Sequence, residues 1–204
     1  MTGDESVTLA VLAGGEGSRM GFAKGLLRVG ADHGEPILGY LLNRIAWRGP
    51  TLLVTAPGRE HPPGWERFDR EAADPEAGGG PLRGVLTALE HAATPVIAVL
   101  TVDMPEVGLE QVRCLLDALQ GDPNGLGVMF RRAMPDGMQI EPFPSVYRSG
   151  ARGQIEARLK SARRSVHGLL QETGFFSVDA PAQWLQSVWT NLNSPDDLRA
   201  YRQA

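Results

Sequence analysis

Short apolar runs alternate along the chain with longer segments whose apolar positions recur at helical spacing. The runs are typical of strands that are buried on both faces of a parallel sheet. The longer segments are typical of amphipathic helices that cover such a sheet. The predicted strands are Val7–Leu12, Thr51–Thr55 and Val96–Val102, and the predicted helices are Pro36–Trp47, Gly80–Ala92 and Leu109–Leu119. This order predicts an α/β fold, a Rossmann-like three-layer α/β/α arrangement with a mostly parallel central sheet.

The pattern becomes less regular after Asp122. Short strands are predicted at Gly127–Phe130 and Ser145–Tyr147, separated by a loop that is rich in proline, glycine and methionine. The remaining predicted elements are a strand at Phe175–Val178 and helices at Gln154–Ala162, at Val166–Thr173 and after the N-cap candidate Ser194. The second half is therefore interpreted as an extension of the same domain.

Size and charge narrow the class of protein. The chain has 204 residues and a formal net charge of −4, which fits one α/β core and argues against a nucleic-acid-binding surface. No apolar stretch approaches the roughly 20 residues that cross a bilayer, and the polar segment Met1–Ser6 is unlike a secretory signal. Cys114 is the only cysteine, so no disulfide framework is expected. We expect a cytoplasmic protein that works without a membrane or a nucleic acid.

The most informative segment follows the first predicted strand. The stretch from Leu12 to Lys24 carries four glycines together with Arg19 and Lys24. Glycine lets backbone N–H groups turn toward an anion without a clash from a Cβ atom. Arginine and lysine add positive charge at the same place. The segment predicts a loop that binds a polyphosphate, and the simpler alternative is a flexible glycine turn with two solvated cations.

Two common phosphate-binding motifs do not fit this loop. A dinucleotide fingerprint needs glycine at its first, third and sixth places, but counting from Gly15 the sixth place is Met20. A P-loop needs Gly-Lys followed by serine or threonine, whereas Lys24 precedes Gly25 and Leu26. The predicted phosphate loop is therefore of another type.

Polar side chains stand where the later strands end. Ligands of open α/β sheets collect at the carboxyl ends of the strands, where Thr55 ends the second predicted strand and Asp103 follows the third. A desolvated carboxylate has to be paired or bound to a metal. Mg²⁺ favours one or two carboxylates together with substrate phosphates and waters. Asp103 is therefore predicted to be a Mg²⁺ ligand, since Leu109 lies too far along the chain for Asp103 to cap that helix.

Other charged residues allow two interpretations. Asp74 precedes the turn Gly78–Pro81 and is either an acceptor for the edge of a nucleobase or an exposed loop acid. Lys160, Arg163 and Arg164 either form a solvated face or meet an anionic acceptor. No Ser-His-Asp set, Cys-His pair or close carboxylate pair emerges from the sequence. A phosphate nucleophile would need none of these, because its second pKa is about 6 and it is largely ionised near neutral pH.

Four segments carry a family resemblance, in the family's order and over nearly the entire chain. They are Leu12–Lys24, Gly80–Gly84, Asp103–Pro105 and Asn191–Leu198. Together they resemble the molybdenum cofactor guanylyltransferases, within the wider set of nucleotidyltransferases that have this fold. The first segment is specific for the broad superfamily. The last segment, Asn-Leu-Asn-Ser-Pro-Asp-Asp-Leu, narrows the resemblance toward enzymes that act on pterin cofactors.

The resemblance implies a reaction and its partners. An enzyme of this family would transfer GMP from GTP to the phosphate of molybdopterin, with Mg²⁺, giving the guanine dinucleotide cofactor and pyrophosphate. A single nucleotidyltransferase domain would span residues 1–204, with 1–120 binding the nucleotide and 121–204 the acceptor. Transient contact with molybdoenzymes or their chaperones would accompany transfer of the product.

The resemblance also implies roles for individual residues. Arg19, Lys24 and Asp103 would be catalytic, with Asp103 as the Mg²⁺ ligand. The residues that would bind the nucleotide or shape the acceptor side are Leu12, Ala13, Gly14, Gly15, Lys24, Thr55, Asp74, Asn191 and Asn193. Within this set, the first loop would hold the phosphates, Thr55 and Asp74 would contact the nucleoside, and the two asparagines would face the acceptor.

Three positions depart from the family pattern. Ala23 stands where relatives commonly have aspartate, Thr55 where they often have asparagine, and Glu141 where they often have histidine or glutamine. The first two bear on nucleotide affinity and base choice, and the third bears on the acceptor. Two alternatives therefore stay open: a related transferase that uses CTP or another phosphorylated acceptor, and a nucleotide-binding protein without turnover.

Overall fold

Nine strands and five helices are found in the part of the chain that the structure describes. The structure is a computed structural model, and it describes residues 4–15, 20–30 and 34–203. The strands are β1 (Val7–Leu12), β2 (Arg28–Val29), β3 (Glu35–Pro36), β4 (Thr51–Thr55), β5 (Arg70–Ala73), β6 (Val96–Thr101), β7 (Gly127–Met134), β8 (Gly137–Arg148) and β9 (Phe175–Asp179). The helices are α1 (Ile37–Ile45), α2 (Pro81–His91), α3 (Leu109–Gly121), α4 (Arg152–Lys160) and α5 (Pro195–Gln203).

Seven of these strands form one mixed sheet in the order β5-β4-β1-β6-β8-β7-β9, while β2 and β3 form a separate ribbon. β1 is buried along its whole length and pairs in parallel with β4 and β6. β4 pairs in parallel with β5, whereas β8 is antiparallel to both of its neighbours. Because helices cover both faces of the parallel part, its strands are apolar on both sides.

The crossover connections place helices on both faces of the sheet. The chain moves from β1 through α1 to β4 in one direction, and from β5 through α2 to β6 in the opposite direction. Since such crossovers are right-handed, α1 and α2 lie on opposite faces. The predicted three-layer α/β/α fold with a mostly parallel sheet is confirmed. Within the described residues, no helix combines the length and the apolar character that a membrane span requires.

Most predicted elements lie close to the observed ones. β1 and β4 match the predicted strands to the residue, and β6 ends one residue early, at Thr101. Pro36 was expected in the first turn of its helix but precedes α1 as the N-cap residue. The helix predicted at Val166–Thr173 is a short 3-10 helix at His167–Gln171.

The loop predicted between Gly127–Phe130 and Ser145–Tyr147 is wrong. β7 and β8 run through it as an antiparallel hairpin that turns between Met134 and Gly137. The register of the hairpin shifts at residues 142–144, which interrupt the ladder. All three prolines of the segment lie in the turn or in this interruption, where no ladder N–H group is needed. The proline and glycine signals therefore mark a turn and a bulge inside a hairpin.

Arg148 joins the end of β8 to the end of α3. Its guanidinium donates hydrogen bonds to the carbonyl oxygens of Leu119 and Asp122 at 2.7 and 2.8 Å. It also donates to the carbonyl oxygen of Gly125. The last carbonyl groups of a helix have no partner within the helix. Those of Leu119 and Asp122 accept backbone N–H groups of the following turn at 3.3 and 3.1 Å, and the Arg148 side chain gives each of them a second donor. The connection from α3 to β7 is secured in this way.

We expect Arg148→Met to lower the free energy of unfolding by about 1–3 kcal/mol, because three part-buried carbonyl oxygens would each lose a charged donor. Arg131→Met is the matched control. Arg131 pairs with Asp179 at 2.6 Å, but both side chains are exposed, and such pairs contribute at most about 1 kcal/mol. Urea-induced unfolding followed by circular dichroism measures both variants. Equal losses would contradict the role given to Arg148.

Candidate active site

Three distant segments of the chain meet at the ammonium group of Lys24. Its Nζ lies 2.5 Å from Oδ2 of Asp103 and 2.6 Å from Oδ1 of Asn193. The Lys24 and Asp103 side chains are 16% and 13% exposed, so the ion pair is mostly shielded from water. The first loop, the turn after β6 and the segment before α5 therefore converge on one charged cluster. The predicted residues Lys24, Asp103 and Asn193 are brought together here.

Backbone hydrogen bonds fix the position of Asp103. The N–H of Val102 donates to the carbonyl oxygen of Leu12 at 3.1 Å, which ties the turn to β1. The N–H of Leu192 donates to the carbonyl oxygen of Asp103 at 2.8 Å. Leu192 is fully buried, so this bond anchors the C-terminal segment at the strand end. The turn after β6 is thus held from both sides.

A reciprocal cap at the start of α5 fixes Asn193. The carboxylate of Asp197 accepts hydrogen bonds from the backbone N–H groups of Asn193 and Ser194, at 2.9 and 2.8 Å. In return, Oγ of Ser194 accepts from the N–H of Asp197 at 3.2 Å, as in a capping box. Hydrogen bonding, first with the Ser194 side chain and then with the two backbone groups, lowers the pKa of the Asp197 carboxyl. The predicted N-cap role of Ser194 is confirmed.

A cleft of about 630 Å³ opens at the carboxyl ends of β5, β4, β1 and β6. Adjacent strands lie about 4.8 Å apart, so the three steps from β5 to β6 separate the outer strand ends by about 14 Å. Asp74 follows β5 at one end, and Asp103 follows β6 at the other. The lining includes Leu12, Gly14, Gly15, Lys24, Asp74, Gly78, Gly79, Gly80, Asp103, Phe143 and Asn191.

The first loop passes very close to the end of β4. A Cβ atom at Gly14 would come within 3.1 Å of the backbone nitrogen of Ala56 and 3.2 Å of the carbonyl carbon of Thr55. A Cβ atom at Gly15 would meet Cδ of Lys24 at 3.8 Å, which is an ordinary van der Waals contact. A side chain at the first of the two positions would therefore press against the backbone at the end of β4. The second leaves space on the side of the cleft.

Asp74 is held at the β5 end of the cleft. Its Oδ1 accepts a hydrogen bond from Oγ1 of Thr87 at 2.6 Å. Burial raises the pKa of this carboxyl, and the Thr87 hydrogen bond and the charge of Arg83 oppose that rise. Asp74 is therefore a hydrogen-bonded residue that lines the cleft, and its binding of a nucleobase stays a prediction.

The side chain of Thr55 is engaged outside the main cleft. Its Oγ1 donates to Oε1 of Glu71 at 2.9 Å, and Oε2 of Glu71 lies 2.7 Å from Nδ1 of His61. Thr55 lines a second, smaller cavity of about 270 Å³, whereas its neighbours Val54 and Ala56 line the main cleft. The structure therefore does not bring the Thr55 hydroxyl together with the predicted site residues that line the main cleft.

Of the remaining predicted site residues, one lines the second cavity, one lines the main cleft, and one lies outside the described residues. Ala13 lines the second cavity, and its N–H donates to the carbonyl oxygen of Val54 at 2.8 Å. Asn191 lines the main cleft, where its Nδ2 donates to the carbonyl oxygen of Trp189 at 3.1 Å. Arg19 lies outside the described residues, so its predicted role stays a prediction.

The basic residues Lys160, Arg163 and Arg164, at and after the end of α4, do not form one anion site. Lys160 and Arg163 are each paired with a glutamate, at 2.9 and 3.0 Å. Arg164 instead donates to the carbonyl oxygen of Gly78 at 3.0 Å. Because Gly78 lines the main cleft, Arg164 approaches the site beside the glycine loop near Asp74.

Among the cleft residues that the sequence analysis missed are one acid and one aromatic residue. Glu76 and Phe143 both line the cleft. Phe143 stands between two prolines in the interruption of β8, and an aromatic residue in such a position is a signal that could have found it. Glu141, one of the departures from the family pattern, is buried and pairs with Arg132 at 2.5 Å. Its carboxylate is therefore used inside the second half of the chain.

The carboxylate of Asp103 fits a divalent cation. Its Oδ1 is buried, and among the described residues it has no hydrogen-bond partner. Such an atom is costly unless a ligand satisfies it, and Mg²⁺ binds one carboxylate readily when substrate phosphates complete its shell. In the described part of the chain, no group of three or more acidic, histidine or cysteine side chains could hold a metal alone. A cation here would therefore take further ligands from a substrate or from water.

Comparison with known proteins decides the family. Residues 9–174 match the family described as the MobA-like NTP transferase domain. The chain belongs to this family. It is accordingly a member of a nucleotidyltransferase family, and the resemblance found in the sequence is confirmed.

Curated relatives match over nearly the whole chain. A probable molybdenum cofactor guanylyltransferase of Opitutus terrae is 32% identical over 197 residues, which cover 92% of this chain and 91% of the relative. The molybdenum cofactor guanylyltransferase of Histophilus somni is 26% identical over 201 residues, which cover 97% and 96% of the two chains.

Solved structures support the fold. Molybdopterin-guanine dinucleotide biosynthesis protein A from Archaeoglobus fulgidus superposes with a TM-score of 0.76 at 20% identity, covering 96% of this chain and 97% of the other. The 2-C-methyl-D-erythritol 4-phosphate cytidylyltransferase of Thermus thermophilus has a TM-score of 0.66 at 18% identity, covering 95% and 96%. At these identities the likeness establishes the nucleotidyltransferase fold and nothing about the substrate.

We expect Gly14→Ala to lower the free energy of unfolding by about 1–3 kcal/mol, because the backbone at the end of β4 has to move away from the added methyl group. Gly15→Ala is the matched control and should change it by less than about 1 kcal/mol. Urea-induced unfolding without nucleotide compares the two variants. A loss at Gly14 no greater than that at Gly15 would contradict the close approach of the first loop to β4.

Proposed function

We propose that this protein transfers GMP from GTP to the phosphate of molybdopterin, giving the guanine dinucleotide cofactor and pyrophosphate. The observation that carries the proposal is the convergence of Lys24, Asp103 and Asn193 at one end of a cleft of nucleotide size. Membership of the MobA-like NTP transferase family supports the reaction type. Relatives named molybdenum cofactor guanylyltransferase support the pair of substrates.

The nucleotide would lie along the strand ends, with its triphosphate at the first loop and its base near β5. Backbone N–H groups at Gly14 and Gly15 would face the phosphates, and the ammonium of Lys24 would neutralise their charge. At the other end, the ionised carboxylate of Asp74 would accept hydrogen bonds from a base. Guanine presents adjacent N–H donors on one edge, which suits a carboxylate acceptor.

The chemistry needs alignment and charge neutralisation more than it needs a protein base. The ionised acceptor phosphate would attack the α-phosphorus of GTP, and the bond to the bridging oxygen would break as pyrophosphate leaves. Bound Mg²⁺ would supply positive charge to the phosphate oxygens. Asp103 would hold it through the buried Oδ1. Lys24, now paired with Asp103 and Asn193, would turn its ammonium toward the phosphates.

The two halves of the chain would divide the substrates. Residues 1–120 supply the first loop, the glycine turn before α2 and Asp103, so we assign them to the nucleotide. Residues 121–204 supply Phe143 and Asn191 to the cleft, so we assign them to the acceptor side. Delivery of the product would require transient contact with the proteins that use it.

The test is a reaction of the purified protein with GTP, molybdopterin and Mg²⁺. We expect the guanine dinucleotide and an equal amount of pyrophosphate, measured by chromatography and by a coupled phosphate assay. Product from CTP but not from GTP would overturn the base assignment and indicate a cytidylyltransferase. Calorimetric binding of GTP without pyrophosphate release, for molybdopterin and for other phosphorylated acceptors, would indicate a binding protein without turnover.

We expect Asp103→Ala to reduce kcat about 100- to 1000-fold, because a preorganised electrostatic contact at the reacting phosphates is lost. Asp117→Ala, which removes an exposed carboxylate on α3, is the control and should behave like the wild type. Steady-state rates over a range of Mg²⁺ concentrations measure both variants. A near-wild-type rate for Asp103→Ala would exclude a metal role at this residue.

A further inference from the structure

Two side chains of α2, those of Arg83 and Thr87, hold the carboxylate of Asp74 through a chain of hydrogen bonds. Oγ1 of Thr87 donates to Oδ1 of Asp74 at 2.6 Å, and Thr87 is fully buried. A hydroxyl group has a single proton to donate, so its remaining interactions are those of an acceptor. Nε and Nη2 of Arg83 donate to this oxygen at 3.3 and 3.2 Å. We call Arg83, Thr87 and Asp74 the α2 relay, in which a guanidinium donates to a hydroxyl and the hydroxyl to a carboxylate.

Arg83 is itself fixed by two further contacts. Its Nη2 lies 2.7 Å from Oε2 of Glu90, and Arg152 of α4 approaches the other oxygen of Glu90 at 3.3 Å. The aliphatic stem of Arg83 lies against the glycine turn, because a Cβ atom at Gly79 would come within 2.6 and 2.7 Å of its Cβ and Cγ. Arg83 therefore supports both the Asp74 carboxylate and the backbone that lines the cleft beside it.

We propose that Arg83 and Thr87 are positioning residues for nucleotide recognition, which hold one oxygen of the Asp74 carboxylate so that the other accepts hydrogen bonds from the donor edge of guanine. The hydrogen bonds found among the described residues engage only Oδ1 of this carboxylate. Oδ2 is thereby left for a ligand in the cleft that Asp74 lines. The inference rests on the proposed function, because it places the nucleoside at the end of β5. Neither Arg83 nor Thr87 needs to touch the nucleotide.

The α2 relay also controls the charge of the acceptor. Burial raises the pKa of Asp74, the Thr87 hydrogen bond and the Arg83 charge lower it, and the Glu90 charge raises it. The charged groups around it are Arg83 and Glu90 on α2, Arg152 behind Glu90, Arg164 at Gly78, and Glu76 on the loop of Asp74 itself. A protonated carboxyl is a poorer acceptor, so GTP affinity falls as the pH falls through this pKa. Removing the Arg83 charge leaves burial less opposed, and the loss then begins at a higher pH.

The first experiment follows the Asp74 carboxyl directly in the nucleotide-free protein. Its ¹³C chemical shift is titrated by NMR in the wild type, Arg83→Met and Arg83→Lys. Methionine keeps the aliphatic stem against Gly79 and removes the charge, whereas lysine restores a charge. We expect the Asp74 midpoint to move to higher pH in Arg83→Met and to stay near the wild-type value in Arg83→Lys. An unshifted midpoint in Arg83→Met would overturn the proposal.

The second experiment measures GTP binding by calorimetry as a function of pH. We expect Arg83→Met and Thr87→Val each to weaken binding about tenfold near neutral pH, as for the loss of a hydrogen bond that orients a charged group. Thr87→Ser keeps the hydroxyl group and should bind GTP about as tightly as the wild type does. Arg131→Met is the control and should bind like the wild type, because Arg131 is an exposed arginine on β7, far from the cleft along the sheet.

A double-mutant cycle separates the α2 relay from a general structural effect. If Arg83 acts through Asp74, adding Arg83→Met to Asp74→Asn should weaken GTP binding no further than Asp74→Asn alone. Full additivity of the two losses would overturn the proposal. Thermal unfolding of each variant identifies any loss of binding that comes from unfolding alone.

The outcomes for the two proposals can be told apart. If GTP binds and the Asp74 midpoint moves as expected but no acceptor yields a dinucleotide, the proposed function fails and the α2 relay stands. If the dinucleotide forms and Arg83→Met binds GTP with the pH dependence of the wild type, the α2 relay fails and the proposed function stands. Absence of GTP binding by the wild-type protein would overturn both.

Discussion

The pairing of one lysine with one aspartate at the edge of the central sheet determines how the cleft is built. β6 is almost wholly apolar, so the carboxylate that follows it lies where a charge has to be compensated. Lys24 supplies the opposite charge from the first loop, and Asn193 accepts a second hydrogen bond from its ammonium. Because the pair is mostly shielded from water, loss of either partner would leave a poorly solvated charge, and this couples the first loop, the strand end and the C-terminal segment.

The two aspartates at the ends of the cleft carry the same chemical group in different environments, and each environment suits a different kind of ligand. One carboxylate oxygen of Asp103 is paired with the ammonium of Lys24, and the other is buried and has no partner among the described residues. Asp103 is therefore suited to bind a metal cation as well. Asp74 is held by a neutral hydroxyl, and burial raises its pKa. It is therefore suited to accept hydrogen bonds from neutral donors. The distance across three strands keeps these two environments separate.

The elements that were predicted well are those whose own residues decide the conformation. β1 and β4 are short apolar runs, which are buried from water when helices cover both faces of a sheet. α2 begins at a proline, which suits the first turn of a helix. β5 was missed because Arg70–Ala73 is an edge strand with a mixed pattern and one buried residue. The β7–β8 hairpin was missed because its prolines were interpreted as breaks in a strand. Pairing with a neighbour, which no local pattern reports, decides both cases.

The site divides in the same way. The sequence by itself pointed to the glycine-rich loop after β1 and to the acid after β6, because glycine and carboxylate groups have few uses at strand ends. The asparagines before α5 were identified only through the resemblance to a family. Only the tertiary structure decided that Lys24 reaches Asp103 and Asn193, that the Thr55 hydroxyl is turned to Glu71, and that Arg83 and Thr87 hold Asp74. Side-chain direction and long-range contact depend on how helices and strands pack together. The local sequence pattern indicates which helices and strands form, whereas tertiary packing determines the hydrogen-bond partner of each polar side chain.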